Sequence, residues 1–173
     1  LGAVAAVVGA ATAARARAQR AGRTARIGVL LPGALPIEKP FVEALGQLGY
    51  RAGDTVLVER RSADGDFQRL PALAIELAGT RPDVIVAFVT QASIAAKRAT
   101  ASVPIVMVAV ADPVAAGLVS NLARPEGNVT GTAAQLSALV AKQVELIRDL
   151  RPGASRLAVM WNPANAAYQQ QAV

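Results

Sequence analysis

The sequence predicts an α/β fold: a doubly wound, mostly parallel sheet with helices on both faces. Three observations predict it. Short runs rich in Val, Ile and Leu recur along the chain, the first closed by Pro32-Gly33 and the last by Asn162-Pro163. Segments with apolar residues at helical spacing separate them. The runs are continuously apolar rather than alternating, the pattern of strands buried on both faces.

Residues 26–31, RIGVLL, form the first such run and stop at Pro32-Gly33. Apolar residues at 41, 42, 44, 45 and 48 then repeat as on a helix, and Gly49 ends it. Residues 55–59, TVLVE, read as a second strand. Asp66 can cap a helix running to about residue 78, with Leu70, Leu73, Ala74 and Leu77 on one face. Residues 84–89, VIVAFV, are the third strand, and 91–100 an Ala-rich helix. Residues 103–110 hold a fourth apolar run with Pro104 at its start, where strand prolines are tolerated.

Residues 113–122 read as a short helix and 128–131, NVTG, as a brief strand. Residues 137–150 predict an amphipathic helix with Leu139, Val140, Val144, Ile147 and Leu150 inward. Pro152-Gly153 breaks it, residues 156–161 read as a further strand, and Asn162-Pro163 turns the chain.

The domain organisation expected from this pattern has three parts. Residues 1–25 are a signal-peptide remnant and processing region, 26–152 a first lobe, and 153–173 a hinge and the start of a second. Leu1–Ala14 is uncharged and apolar, the length of a signal-peptide core and shorter than the roughly 20 residues of a membrane span. Two small-x-small steps follow, Ala14-Arg15-Ala16 and Ala16-Arg17-Ala18. The mature product is expected to be extracytoplasmic, with no stable membrane insertion after signal removal.

The chain of 173 residues carries 18 Lys+Arg against 12 Asp+Glu. That formal charge of +6 suggests a polyanion partner, but its distribution does not. Arg15, Arg17, Arg20, Arg23 and Arg26 account for five of the basic residues, leaving a nearly neutral body of 13 against 12. The six aromatic residues, Phe41, Tyr50, Phe67, Phe88, Trp161 and Tyr168, lie in no basic stripe, so no nucleic-acid partner is expected. With no His and no Cys, the chain has no Cys nucleophile, no Ser–His–Asp triad, no disulfide framework and no zinc-finger ligand set. No dinucleotide fingerprint surrounds Gly28 and no phosphate-loop lysine motif occurs, so no cofactor is expected.

In open α/β sheets ligands bind beyond the C-terminal ends of the strands. That rule selects the loops after the first strand (Pro32-Gly33), the third (Thr90-Gln91-Ala92-Ser93), the fourth (Asp112-Pro113) and the last (Asn162-Pro163). Thr90 can cap a helix, or it and Ser93 can bind a ligand beside free backbone amides. Asp112 before Pro113 is a good cap and first-turn pair, or a carboxylate for a ligand ammonium. Asn162-Pro163 can be only a turn, and a lone Trp161 only core.

These stretches are familiar in combination. RIGVLLPG, then LGQLGY-x-x-GDTVLVERR, RLPALAIELAGTRPDVIVA, VPIVMVAVADPVAAGLVSNLARPEGNVTG and SRLAVMWNPAN succeed one another from Arg26 to about Ala166. The succession resembles the ABC transporter substrate-binding protein family related to tryptophan- and tyrosine-binding proteins. The stretch from Asp112 to Gly131 is its most specific part, and Trp161-Asn162-Pro163 the next.

The resemblance implies a type I periplasmic-binding-protein fold, of which this chain holds the first lobe while the second is largely missing. It implies a protein that is not an enzyme, captures a small molecule, amino-acid-like in one reading, and delivers it to an ABC permease. Carried over by position, the first-lobe ligand face is Pro32, Gly33, Thr90, Gln91, Ser93 and Asp112, and Asn162 contributes from the second lobe. The sequence departs from the family pattern at Ala87-Phe88-Val89, where a small Gly-rich turn is expected; Phe88 can intrude on the pocket or pack in the sheet. Two alternatives share the fold class: an extracytoplasmic sensor domain of a signalling protein, and a Rossmann-like enzyme.

Overall fold

The structure, a computed structural model, describes residues 24–158 apart from 37, 126 and 135. The first 23 residues, with the expected signal segment, lie outside that range, as do Trp161 and Asn162.

Five strands form one sheet: β1 (Ala25–Leu31), β2 (Val56–Ser62), β3 (Val84–Phe88), β4 (Ile105–Val110) and β5 (Val129–Ala133). Their spatial order is β2-β1-β3-β4-β5, and every neighbouring pair is parallel. Parallel neighbours need long crossovers, and most of these are helical. The helices are α1 (Glu38–Gln47), α2 (Leu70–Gly79), α3 (Val89–Ala99) and α4 (Leu136–Leu150). The α/β class and the parallel sheet expected from the sequence are therefore present.

Successive side chains of a strand point to opposite faces, and β1 shows what that does here. Ile27, Val29 and Leu31 join Val56, Val86 and Phe88 in one buried cluster, against which Phe41 and Leu45 of α1 pack. Leu30 faces the other way, into a larger cluster with Ile85, Ala87, Ile105 and Met107. Leu70, Ala74 and Leu77 of α2 and Ala92, Ala95 and Ala96 of α3 cover that face. Each fully buried Leu or Ile there contributes about 1.5–3 kcal/mol relative to exposure. Gly28 lets α2 sit close on β1, since a Cβ at that position would lie 3.0 Å from Leu77 Cγ.

Several elements differ from expectation. Asp66 does cap, accepting the Gln68 amide at 3.0 Å, but it opens a three-residue 3-10 turn (Phe67–Arg69) that leads into α2. The third strand ends at Phe88, one residue early, and α3 starts at once at Val89. Residues 113–122 are not a helix. Asp112 Oδ1 accepts the Val114 and Ala115 amides at 3.1 and 2.9 Å, so a first turn forms. Gly117 then enters the left-handed region at φ 66°, and the Leu118 amide closes back onto Pro113 O at 2.8 Å. That glycine closure ends the turn, and Leu118 and Val119 plunge into the core at 1% and 5% exposure.

A further difference concerns α4. The helix forms, but Leu139, Val144, Ile147 and Leu150, expected inward, are all exposed. Periodicity marks an apolar stripe without saying what covers it, and among the described residues nothing does. Residues 156–158, the described part of the expected last strand, are in no strand among the described residues.

Candidate ligand-binding edge

A strand order of 2-1-3-4-5 reverses direction between β1 and β3, and a crevice opens there at the C-terminal edge. The β1–β3 register pairs Leu30 with Ala87, each one residue before the last of its strand, so the two strands end level. Pro32-Gly33 and Val89-Thr90-Gln91 therefore stand on either side of the switch point. One strand further along, Ala111 and Asp112 follow β4 on the same edge.

The edge is joined by specific bonds. Thr90 is buried, and its hydroxyl oxygen accepts the Ala111 amide at 3.2 Å, tying the end of β3 to the end of β4. Ser93 is completely buried; its hydroxyl donates to Val89 O at 2.8 Å with Ala87 O at 3.2 Å. Pro32 is buried, Gly33 and Gln91 are half-buried, and Asp112 is half-buried with Oδ1 in the turn cap described above. Five of the six first-lobe candidates thus reach or border the edge surface. Ser93 lies a layer below them.

The loop after β2 belongs to the same edge, although it was not among the loops selected from the sequence. The Ala63 amide donates to Leu31 O at 2.9 Å and the Gly65 amide to Pro32 O at 2.8 Å. Asp64 (φ 52°) and Gly65 (φ 92°) turn the chain there. An Asp-Gly pair directly after a strand was the available signal. A Cβ on Gly33 would lie 3.3 Å from the Gly65 nitrogen, so the two loops meet backbone to backbone.

Phe88 does not enter the crevice. It is 2% exposed and meets Phe41 of α1 edge to face, with ring centroids 6.1 Å apart and planes at 86°. It anchors the helix that follows the Pro32-Gly33 loop.

Three residues on this edge hold left-handed backbone without being glycine: Asp64 at φ 52°, Val89 at φ 62° and Ala109 at φ 54°. For a β-branched residue such a φ is a true outlier. Ala109 falls in the β4–β5 irregularity between Met107 and Val110, and its amide donates to Thr132 Oγ1 at 3.2 Å. Strained backbone of this kind collects at ligand clamps and switch regions.

Charge at the edge is modest. The carboxylate of Glu59, held below its usual pKa chiefly by its hydrogen bond from Arg26 at 2.5 Å, belongs to a β1–β2 ion pair set back from the edge. Away from the edge, an apolar groove of about 380 Å³ runs between α2 and α3, lined by Phe67, Leu70, Ile75, Ile94 and, at one end, Gln91. No helix among the described residues is long and apolar enough to cross a membrane.

Known proteins are similar to this chain in sequence and fold. The family described as ABC transporter substrate binding protein matches residues 28–173. A tyrosine-binding protein of Clostridioides difficile (strain R20291) is 38% identical over 125 residues, 72% of this chain and 36% of that protein. A conserved domain protein from Vibrio cholerae has a solved structure that superposes with a TM-score of 0.73 at 30% identity, over 86% of this chain and 52% of that one. A Streptococcus pneumonia ABC domain solved in complex with L-Trp superposes with a TM-score of 0.64 at 33% identity, over 75% of this chain and 44% of that one. The chain spans about half the length of these solved relatives and a little over a third of the curated one. On the family match and the shared parallel lobe, the chain belongs to the ABC transporter substrate-binding protein family.

Proposed function

We propose that this chain forms one wall of a two-lobed cleft that captures an aromatic amino acid, tyrosine or tryptophan, outside the cytoplasm and hands it to an ABC permease. The observation that carries the reading is the 38% identity to a tyrosine-binding protein, supported by the relative solved with L-Trp. The edge has the chemistry for such a ligand. The start of α3 offers backbone amides at Thr90 and Gln91 to a carboxylate, and Asp112 offers a carboxylate to an ammonium. Pro32 and Gly33 bring backbone close on the other side of the crevice. Asn162 contributes from the second lobe.

The second lobe also accounts for α4. Its exposed Leu139, Val144, Ile147 and Leu150 form the seam that the rest of the protein covers. The relatives' roughly doubled length supplies enough chain to do so. Ligand capture is then hinge closure, driven by tighter binding to the closed form than to the open one.

Titration calorimetry of the full-length protein tests the reading. One-to-one binding of L-tyrosine or L-tryptophan, with weaker binding of L-leucine, is the expected result. Tight binding of a sugar or another metabolite, with no heat from either aromatic amino acid, overturns it.

A further inference from the structure

We infer that Ser93 is a positioning residue for the ligand edge, acting through the left-handed Val89 rather than by touching the ligand. The inference rests on the functional reading above. Val89 occupies a φ of 62° that a β-branched side chain avoids. Such a conformation persists only where neighbours over-determine it.

The neighbours are visible. Phe88, immediately before, is buried and locked edge to face against Phe41. Thr90, immediately after, is buried and bound to the Ala111 amide at 3.2 Å. Ser93 closes the set from one helical turn on. Its single hydroxyl proton is shared between Val89 O at 2.8 Å and Ala87 O at 3.2 Å, so it grips the chain on both sides of Phe88.

The consequence is directional. With Val89 left-handed, the strand turns into α3 without an intervening loop residue. The first amides of α3 then start at the switch point, beside Pro32-Gly33. Relaxing Val89 would swing Thr90 and Gln91 away from where a ligand carboxylate sits and loosen the link to β4. Ser93 has no exposed surface, so an effect of its hydroxyl on affinity must pass through this elbow.

The test is a double-substitution cycle in the full-length protein, read by calorimetry with L-tyrosine and L-tryptophan and by thermal denaturation. Ser93→Ala is expected to weaken binding about five- to tenfold, the worth of one hydrogen bond. Glycine adopts positive φ freely, so Val89→Gly removes the need for the grip. In the Val89→Gly background the Ser93→Ala loss is expected to shrink to about twofold or less, and the Tm loss to shrink with it. An equal affinity loss in both backgrounds overturns the inference. If Ser93→Ala alone does not accumulate, recovery of soluble yield by adding Val89→Gly supports it and failure to recover overturns it. If the wild-type protein binds neither amino acid, the functional reading falls by itself. The thermal cycle then judges the grip: non-additive Tm losses support it, additive ones overturn it.

Discussion

Gly131→Ala is expected to prevent the lobe from folding, or to cost it more than about 4 kcal/mol, the range reserved for mutations that no local shift absorbs. Gly131 has φ 141° and pairs with Met107 across β4 and β5. A Cβ there would overlap the Met107 carbonyl oxygen and lie 2.7 Å from the Met107 nitrogen, both backbone atoms. Backbone hydrogen-bonded in a strand pair gives way less readily than the end of a flexible side chain, even at the sheet edge. The conformation itself is open to glycine alone. Soluble yield and thermal denaturation of the full-length variant check this. A Gly131→Ala protein with wild-type yield and a Tm within a few degrees would contradict the close approach.

The second large effect is on binding. Asp112→Asn is expected to leave stability within about 0.5 kcal/mol, because Asn is as good a cap as Asp. Its Oδ1 can accept the same Val114 and Ala115 amides. Affinity for the amino-acid ligand is expected to fall about 10- to 150-fold, since a hydrogen bond to a charged group contributes about 1.5–3 kcal/mol. Asp112→Ala is expected to lose the same affinity and, in addition, about 1 kcal/mol of stability with the cap. Calorimetry paired with denaturation separates the two roles. An Asp112→Asn protein with wild-type affinity would leave Asp112 as a cap only.

The sheet was legible in the sequence because parallel strands are apolar on both faces. RIGVLL and VIVAF need no partner to be read as buried strands, and Pro32 marks where the first one stops. The switch-point edge followed from the same reading, since the strand ends locate the loops. Other features depend on contacts between segments distant in sequence. The stripe on α4 was visible, but nothing among the described residues covers it. Residues 113–119 carry helix-starting chemistry at Asp112-Pro113, and one left-handed glycine ends the turn before a helix can form. Nothing in the order Phe-Val-Thr announces a left-handed valine; Ser93 one turn on in the same helix, with Phe41 and the Ala111 amide from elsewhere in the fold, holds it in place. The turn after β2 is readable from Asp64-Gly65, but its contact with Pro32 exists only in the folded sheet.

The C-terminal edge of β1, β3 and β4 is proposed above as one wall of an amino-acid cleft. A crystal structure of the full-length protein soaked with its calorimetrically identified ligand tests this most directly. Ligand density is expected at the switch point, touching Pro32-Gly33 and Thr90-Gln91, with its ammonium on Asp112 and the second lobe closed over it. Density in the groove between α2 and α3, or on the second lobe with this edge untouched, would contradict it.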